Sequence, residues 1–429
     1  MNTITQLSLQ ERDKAVNWHP YTQMKTAADA IPIIKGEGVY LYDHEGKKYL
    51  DVVSSWWVTL HGHSHPYIAQ RVFEQLTTLE QVIFAGFTHE PAVQLSENLL
   101  NLLPQNQDKV FYSDNGSTAV EVALKMCIQY AHNQGKEKTK ILAFKNAYHG
   151  DTFGAMSVSG KSFWTKPFES RLFEVVFIDT PTAENLDDLK EQIGQLADEV
   201  ACFIFEPLVQ GAAGMLMYSA ENLDELMQYC RTQEILMIQD EVFTGFGRTG
   251  KFFATDYLTE KPDIMCFSKG LTGGTMPMGI TTCTHEIYNA FLSDDRHKTL
   301  FHGHSFTANP LACAAALASM ELLLKEETQM NIKRITQQHS EFIKMISLHP
   351  QVENARQIGT ILAFDFKTGN GTSYFNEIGK KLYNEFLRRG MIMRPLGNVI
   401  YLVPPYCITS EELDFVYQNI IEVLDQFKD

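Results

Sequence analysis

Nowhere in this sequence do ~18 apolar residues run together, the length a membrane-crossing helix needs, so no membrane span is expected. Basic residues are in deficit: 36 Lys and Arg stand against 52 Asp and Glu, a formal net charge of −16. That balance argues against nonspecific nucleic-acid binding and against docking on anionic membranes. Cysteine is sparse and odd in number, at seven, with no Cys-x-x-Cys spacing. Such usage excludes a disulfide framework and a zinc site and reads as buried thiols in a reducing cytoplasm. The opening residues, Met1-Asn-Thr-Ile-Thr-Gln-Leu-Ser8, lack a basic stretch followed by an apolar core, so no secretory signal is expected. Internal repeats and low-complexity linkers are absent as well.

What is present is a globular chain of 429 residues, 44% hydrophobic, too long for one ordinary core. Its middle alternates short apolar runs with stretches of helical length. The runs predict strands over 110–113, 141–144, 174–178, 201–205, 235–239, 264–267 and 279–283, with helices such as 117–132 and 223–232 between them. Apolar runs separated by helices predict an α/β fold with parallel strands covered on both faces. From about residue 330 the pattern becomes α+β: helices over 331–347, 375–389 and 410–427, and strands over 360–366, 391–394 and 399–403. Gly38 to Asp51 reads as a hairpin. We expect an N-terminal segment (1–60) packed with a small C-terminal domain (329–429), and a large domain (61–328) between them.

The chemistry centres on two strand ends. Ile264-Met-Cys-Phe-Ser-Lys269-Gly delivers a lysine to the C-terminal edge of a buried strand, and Ile235-Leu-Met-Ile-Gln-Asp240-Glu241 delivers an aspartate. A pyridoxal phosphate enzyme needs both: an amine to hold the cofactor aldehyde and a carboxylate to keep the pyridine nitrogen protonated. Ser113-Asp-Asn-Gly116-Ser117-Thr118 reads as a strand end, a tight turn and a helix start, where backbone N–H groups and hydroxyls can cradle a phosphate. Tyr148, after the strand at Ile141, can lie against the pyridine ring or line a substrate pocket. Phe301-His-Gly303-His304-Ser305 offers another hydroxyl before a long helix over 310–324. Taken singly, each motif is equally a loop or a helix cap. The histidines at 302 and 304, like those at 61, 63 and 65, lack metal-ligand spacing, so no metal is expected.

Together these segments resemble the class III aminotransferases. The resemblance rests on Asp240-Glu-Val-Phe-Thr-Gly-Phe-Gly-Arg248-Thr-Gly250 running on to Ser268-Lys269-Gly270, on Glu206-Pro-Leu-Val-Gln210-Gly and on Gly303-His304-Ser305. It covers nearly the whole chain. It implies the fold type I architecture: a mainly parallel central sheet covered by helices, with a smaller α+β lobe built from both terminal segments. It implies pyridoxal 5'-phosphate held by Lys269, Asp240, Gly116, Ser117, Tyr148, His304 and Ser305, and a homodimer whose Ser305 serves the neighbouring subunit's site. Lys269, Asp240 and Tyr21 would be catalytic. Trp56, Tyr148, Gly303, Arg394, Arg248 and Tyr401 would meet substrate, with Asp151 beside them.

Further residues narrow the resemblance to the branch that aminates 8-amino-7-oxononanoate in biotin synthesis, with S-adenosylmethionine as donor. They are Trp18-His-Pro-Tyr21-Thr22, Ser54-Ser-Trp56-Trp57, Tyr148-His-Gly-Asp151-Thr-Phe-Gly-Ala-Met-Ser157, Arg394-Pro-Leu-Gly397 and Tyr401-Leu-Val-Pro-Pro-Tyr406. Arg394 would bind the ketone's carboxylate; Trp56, Tyr21 and Tyr148 would wall its aliphatic chain, and their faces suit a sulfonium. The alternatives are a class III enzyme taking lysine, a diamine or an omega-amino acid, and an inactive homologue that only binds. One departure stands out: Gly303-His304-Ser305 replaces the Gly-Pro-Thr of the best-known members.

Overall fold

The computed structural model describes residues 7–369, 372 and 376–427. Its centre is a seven-stranded sheet: β1 (Gln107–Ser113), β2 (Lys140–Phe144), β3 (Val176–Ile178), β4 (Val200–Phe205), β5 (Leu236–Asp240), β6 (Ile264–Phe267) and β7 (Gly279–Thr284). These are the seven strands read from the apolar runs, with ends moved by up to three residues. The spatial order is β1-β7-β6-β5-β4-β2-β3.

Strands β3, β2, β4, β5 and β6 run parallel, whereas β7 is antiparallel to both β6 and β1. The reversal has a simple cause. A parallel crossover needs a long connection, usually a helix. Between β6 and β7 the chain supplies only a single turn, Lys269–Thr272, and a glycine-rich loop, so it doubles back.

Side chains alternate across the sheet with the period of two that strand geometry imposes. Ile141, Ala143, Cys202, Ile204, Ile238 and Ile264 pack on one face, against Val120, Ala123 and Cys127 of the Gly116–Asn133 helix. Leu142, Phe144, Phe203, Phe205, Met237 and Met265 pack on the other. With every residue of β4 and β6 buried, the strands read as unbroken apolar runs.

The N-terminal hairpin forms a sheet of Ile33–Glu37, Tyr40–Asp43 and Lys48–Asp51, which Met391–Ile392 joins in parallel. A second small sheet pairs Val352–Ile358, Ile361–Phe366 and Val399–Leu402, flanked by the helices Glu326–Ile346, Ile378–Arg388 and Ser410–Gln426. The first of these helices starts before the expected Asn331, because Glu326 and Glu327 complement the helix N-terminus. The expected start of the second, Phe375, lies outside the described residues. Six of the cysteines are buried thiols, while Cys407 is exposed, unlike the expectation for the set. Among the described residues no helix is long and apolar enough to cross a membrane.

Candidate active site

The parallel strands all end on one edge of the sheet, where ligands of such folds bind. Just beyond their last residues come Tyr148 after β2, Glu206 after β4 and Lys269 after β6; Asp240 closes β5. They meet around a cavity of about 500 Å³ that Gly116, Ser117 and Trp57 also line.

Lys269 sits in a left-handed conformation, φ +43, which a side-chain-bearing residue adopts at a cost. The flanks over-determine it: Ser268 Oγ donates to Met278 O at 2.6 Å, and Leu271 N donates to Ser268 O at 2.9 Å. Lys269 Nζ lies 5.1 Å from the Trp57 ring centre and 5.8 Å from that of Phe243. Burial among these rings pushes its amine below the ordinary lysine range, and the Arg248 charge adds to that; Asp240 and Glu206 act the other way. A depressed amine spends more time unprotonated, as a nucleophile or base requires.

Asp240 is buried, yet its carboxylate is fully engaged. His149 Nδ1 lies 2.7 Å from Oδ2, and Val242 N donates to Oδ1 at 3.0 Å. His149 Nε2, on the far side of the ring, is buried with no partner among the described residues. Glu206 is the second buried acid. It accepts from Tyr148 N and Gly211 N, both at 3.0 Å, and burial raises its carboxyl to about 7 despite the nearby His149.

The phosphate cradle forms where the Gly116–Asn133 helix starts. Asn115 caps it by accepting from Thr118 N at 3.0 Å, and Thr118 Oγ1 in return accepts from Asn115 N. The amides of Gly116 and Ser117 have no intrahelical acceptor and line the cavity. Space there is close. A Cβ on Gly116 would lie 2.8 Å from Val242 Cγ1, and one on Gly150 (φ +131) only 1.9 Å from Ser117 Oγ. An amine, a buried carboxylate and a crowded helix N-terminus are the groups that an aldehyde, a pyridine nitrogen and a phosphate would take, so the donor set fits pyridoxal phosphate.

A second cavity of about 490 Å³ shares Lys269 and Tyr148 with the first and is lined further by Tyr21, Trp56, Trp164 and Leu396. Tyr21 Oη donates to Asp151 Oδ2 and stands 3.3 Å from Tyr148 Oη. Its ring meets Trp56 edge-on at 5.5 Å. The two tryptophans point to different places because the turn carrying them is strained: Ser54, Ser55 and Trp57 all have positive φ, at 51, 61 and 66. Asp51 holds that turn, accepting from Val53 N at 3.1 Å and Ser55 N at 2.6 Å, with His63 Nε2 at 3.0 Å. Trp57 is thereby buried beneath Lys269, while Trp56, 43% exposed, faces the opening. The Arg394 guanidinium covers the Trp56 ring at 5.3 Å, and among the described residues no carboxylate forms an ion pair with it.

A sequence profile of the aminotransferase class-III family matches residues 22–424. The chain is a class III aminotransferase. Among its relatives, the adenosylmethionine-8-amino-7-oxononanoate aminotransferase of Synechococcus elongatus is 45% identical, over 95% of this chain and 98% of the relative. The crystal structure of the enzyme of that name from Methanocaldococcus jannaschii superposes with a TM-score of 0.94 at 37% identity, covering 97% of this chain and 98% of that one. An amine transaminase from an uncultivated Pseudomonas species, solved in a PLP-bound form, gives 0.90 at 30% identity, over 96% and 99%.

In this aminotransferase several residues picked out from sequence stand away from the cavities. Arg248 is fully buried, its Nη1 donating to Pro404 O at 2.8 Å with the Tyr406 ring at 5.1 Å. Tyr401 is also buried; its hydroxyl accepts from Trp57 Nε1 at 3.2 Å, so it bears on the cavity through Trp57. Gly303, His304 and Ser305 lie on an exposed loop outside their own chain's cavities. Conversely, His149, Glu206 and Trp164 line the cavities without having been singled out as site residues. Glu206 had a usable signal, since it directly follows the apolar run of β4 much as Asp240 closes that of β5.

Proposed function

We propose that this chain transfers an amino group from S-adenosylmethionine to the ketone of 8-amino-7-oxononanoate, giving 7,8-diaminononanoate, the biotin-pathway reaction that names its relatives. The observation that carries the substrate reading is Arg394. Among the described residues its guanidinium forms no ion pair; it lies over Trp56, which lines an aromatic-walled cavity together with Tyr21 and Lys269. A long aliphatic chain ending in a carboxylate suits both features: carboxylate on guanidinium, methylenes on Trp56, Tyr21 and Trp164. The same ring faces favour a sulfonium donor.

Pyridoxal phosphate, when bound, supplies an aldehyde that carries the amino group from donor to acceptor and a ring that draws electrons from the reacting carbon. Lys269 would hold that aldehyde between turnovers. Displaced by the donor amine, its depressed amine would serve as the base that moves the proton at the reacting carbon. Asp240, oriented by His149, would keep the pyridine nitrogen protonated. Gly116 and Ser117 would hold the phosphate. Ser117 Oγ, which accepts from Asp151 N at 3.1 Å, would also tie the phosphate end to the Tyr21–Asp151–Tyr148 cluster on the substrate side. Tyr21 would orient the substrate amine.

The loop bearing Ser305 supports a homodimer with shared sites. Phe301 and Phe306 of that loop are 71% and 62% exposed, apolar surface of the kind a second copy would cover. A cytoplasmic setting accords with seven unpaired cysteines.

Replacing Arg394 with alanine is expected to remove a charge-assisted pair worth on the order of 1.5–3 kcal/mol, so KM for the ketone should rise roughly ten- to hundred-fold. The visible spectrum of the bound cofactor should not change. Trp56→Ala should weaken the same substrate by opening the apolar wall. Steady-state kinetics with 8-amino-7-oxononanoate checks both; an unchanged KM in Arg394→Ala would remove Arg394 from the site. Mixing the yellow holoenzyme with adenosylmethionine, lysine or diamines tests the donor. Bleaching by lysine but not by adenosylmethionine would overturn the donor assignment.

A further inference from the structure

Asp51 sits where the chain leaves the N-terminal hairpin and enters the turn that carries both tryptophans. It closes the strand Lys48–Asp51, and its amide donates to Val39 O at 2.8 Å. Across the sheet it pairs with Ile392, and Arg394 follows two residues later, so strand pairing sets Arg394 close to the turn. The Asp51 carboxylate is fully buried and grips the turn's backbone. Oδ1 accepts from Val53 N at 3.1 Å and Oδ2 from Ser55 N at 2.6 Å. His63 Nε2 lies 3.0 Å from the same Oδ2. A carboxylate can only accept, so His63 carries a hydrogen on Nε2. His63 is anchored in turn, its amide donating to Gly38 O at 2.7 Å.

The turn needs this grip. Ser55, at φ 61 and ψ −92, lies far from the regions that side-chain-bearing residues favour, and Ser54 and Trp57 on either side also have positive φ. Such backbone persists where its surroundings over-determine it. The two tryptophans depend on it unequally. Trp57 has anchors of its own: its Nε1 donates to Tyr401 Oη at 3.2 Å, and its ring packs 4.6 Å from that of Phe243. Trp56 makes no comparable hydrogen bond among the described residues and is 43% exposed. Its place under the Arg394 guanidinium follows from the path of the backbone.

We propose that Asp51, with His63 behind it, is a positioning residue that sets preference for the acceptor by holding Trp56 against Arg394. The proposal rests on the reading that Trp56 and Arg394 meet the tail of the ketone. Losing the grip should loosen Trp56 and leave Trp57, Lys269 and the cofactor end of the site in place.

The test is steady-state kinetics of holoenzyme with 8-amino-7-oxononanoate varied at saturating donor. In Asp51→Asn one oxygen becomes an NH2 group, which must face the N–H of either Val53 or Ser55, so a bond to the turn is lost. KM for the ketone should rise about fivefold, the fold-change of one hydrogen bond, with kcat and the visible spectrum of the cofactor close to wild type. A wild-type KM overturns the proposal. In a Trp56→Ala background, Asp51→Asn should add no more than about a twofold further rise, because the two act as one unit. A full rise there overturns the proposal, since Asp51 would then act by another route.

Asp51 also helps to keep the buried Arg248 charged, so a second pair of variants leaves its carboxylate in place. His63→Leu removes the donor behind Asp51 and should raise the same KM. His63→Gln, whose Nε2–H reaches the same oxygen, should restore it. Should Asp51→Asn fail to fold, this pair carries the test, and equal KM values in the two overturn the proposal. Trp56→Ala alone separates the underlying reading. An unchanged KM in that variant removes Trp56 from the acceptor site, whereas a raised KM there beside a wild-type KM in Asp51→Asn overturns the positioning role and leaves the reading intact.

Discussion

Lys269→Ala is expected to abolish transamination, with a loss on the order of 10⁴-fold or more, because in the proposed function this one residue would supply both the covalent anchor and the base. The variant should still bind pyridoxal phosphate, since Asp240, Gly116 and Ser117 are untouched. It should lose the cofactor on gel filtration where wild type keeps it. The fold is expected to survive: Lys269 Nζ faces two aromatic rings across a cavity and makes no ion pair among the described residues. Added methylamine should restore part of the activity, because it replaces the missing base and nothing else. Retained activity above a few per cent would show that another group moves the proton.

Asp240→Asn should be nearly as damaging while leaving the protein intact. The side chain keeps its size and its bond from Val242 N, so thermal unfolding should change little. What disappears is a negative charge in a buried setting, where electrostatic stabilisation of this kind is worth about 10²–10³ in rate. Proton abstraction should become rate-limiting, and a substrate deuterated at the reacting carbon should show it as a larger isotope effect. His149 adds a second check. Its Nδ1 lies on Asp240 Oδ2, so His149→Ala should reproduce a fraction of the Asp240→Asn loss by leaving the carboxylate free to turn. A near-normal rate in Asp240→Asn would assign the pyridine nitrogen to another acid, and Glu206 is the nearest candidate.

The strands were legible because each is an apolar run bounded by turn residues, and β6 was found at its observed bounds, Ile264–Phe267. Lys269 and Asp240 were legible because a strand end followed by a charged residue is a local pattern. His149 was not, since its partner Asp240 lies 91 residues away. Arg248 shows the opposite failure. It stands in a signature stretch, yet the chain folds it inward onto Pro404 O rather than into the cavity. The reversal of β7 was equally hidden, because strand direction depends on how far a connection reaches, not on the composition of the strand. The separate fates of Trp56 and Trp57 arise from three positive φ angles that no side-chain pattern announces.

The central claim is the reaction itself. Purified enzyme with pyridoxal phosphate, 8-amino-7-oxononanoate and S-adenosylmethionine should form 7,8-diaminononanoate, identified by mass spectrometry, and should form none when Lys269→Ala replaces it. Absence of that product from the wild-type enzyme with adenosylmethionine, lysine and every diamine tried would contradict the account, leaving a class III aminotransferase with a different substrate.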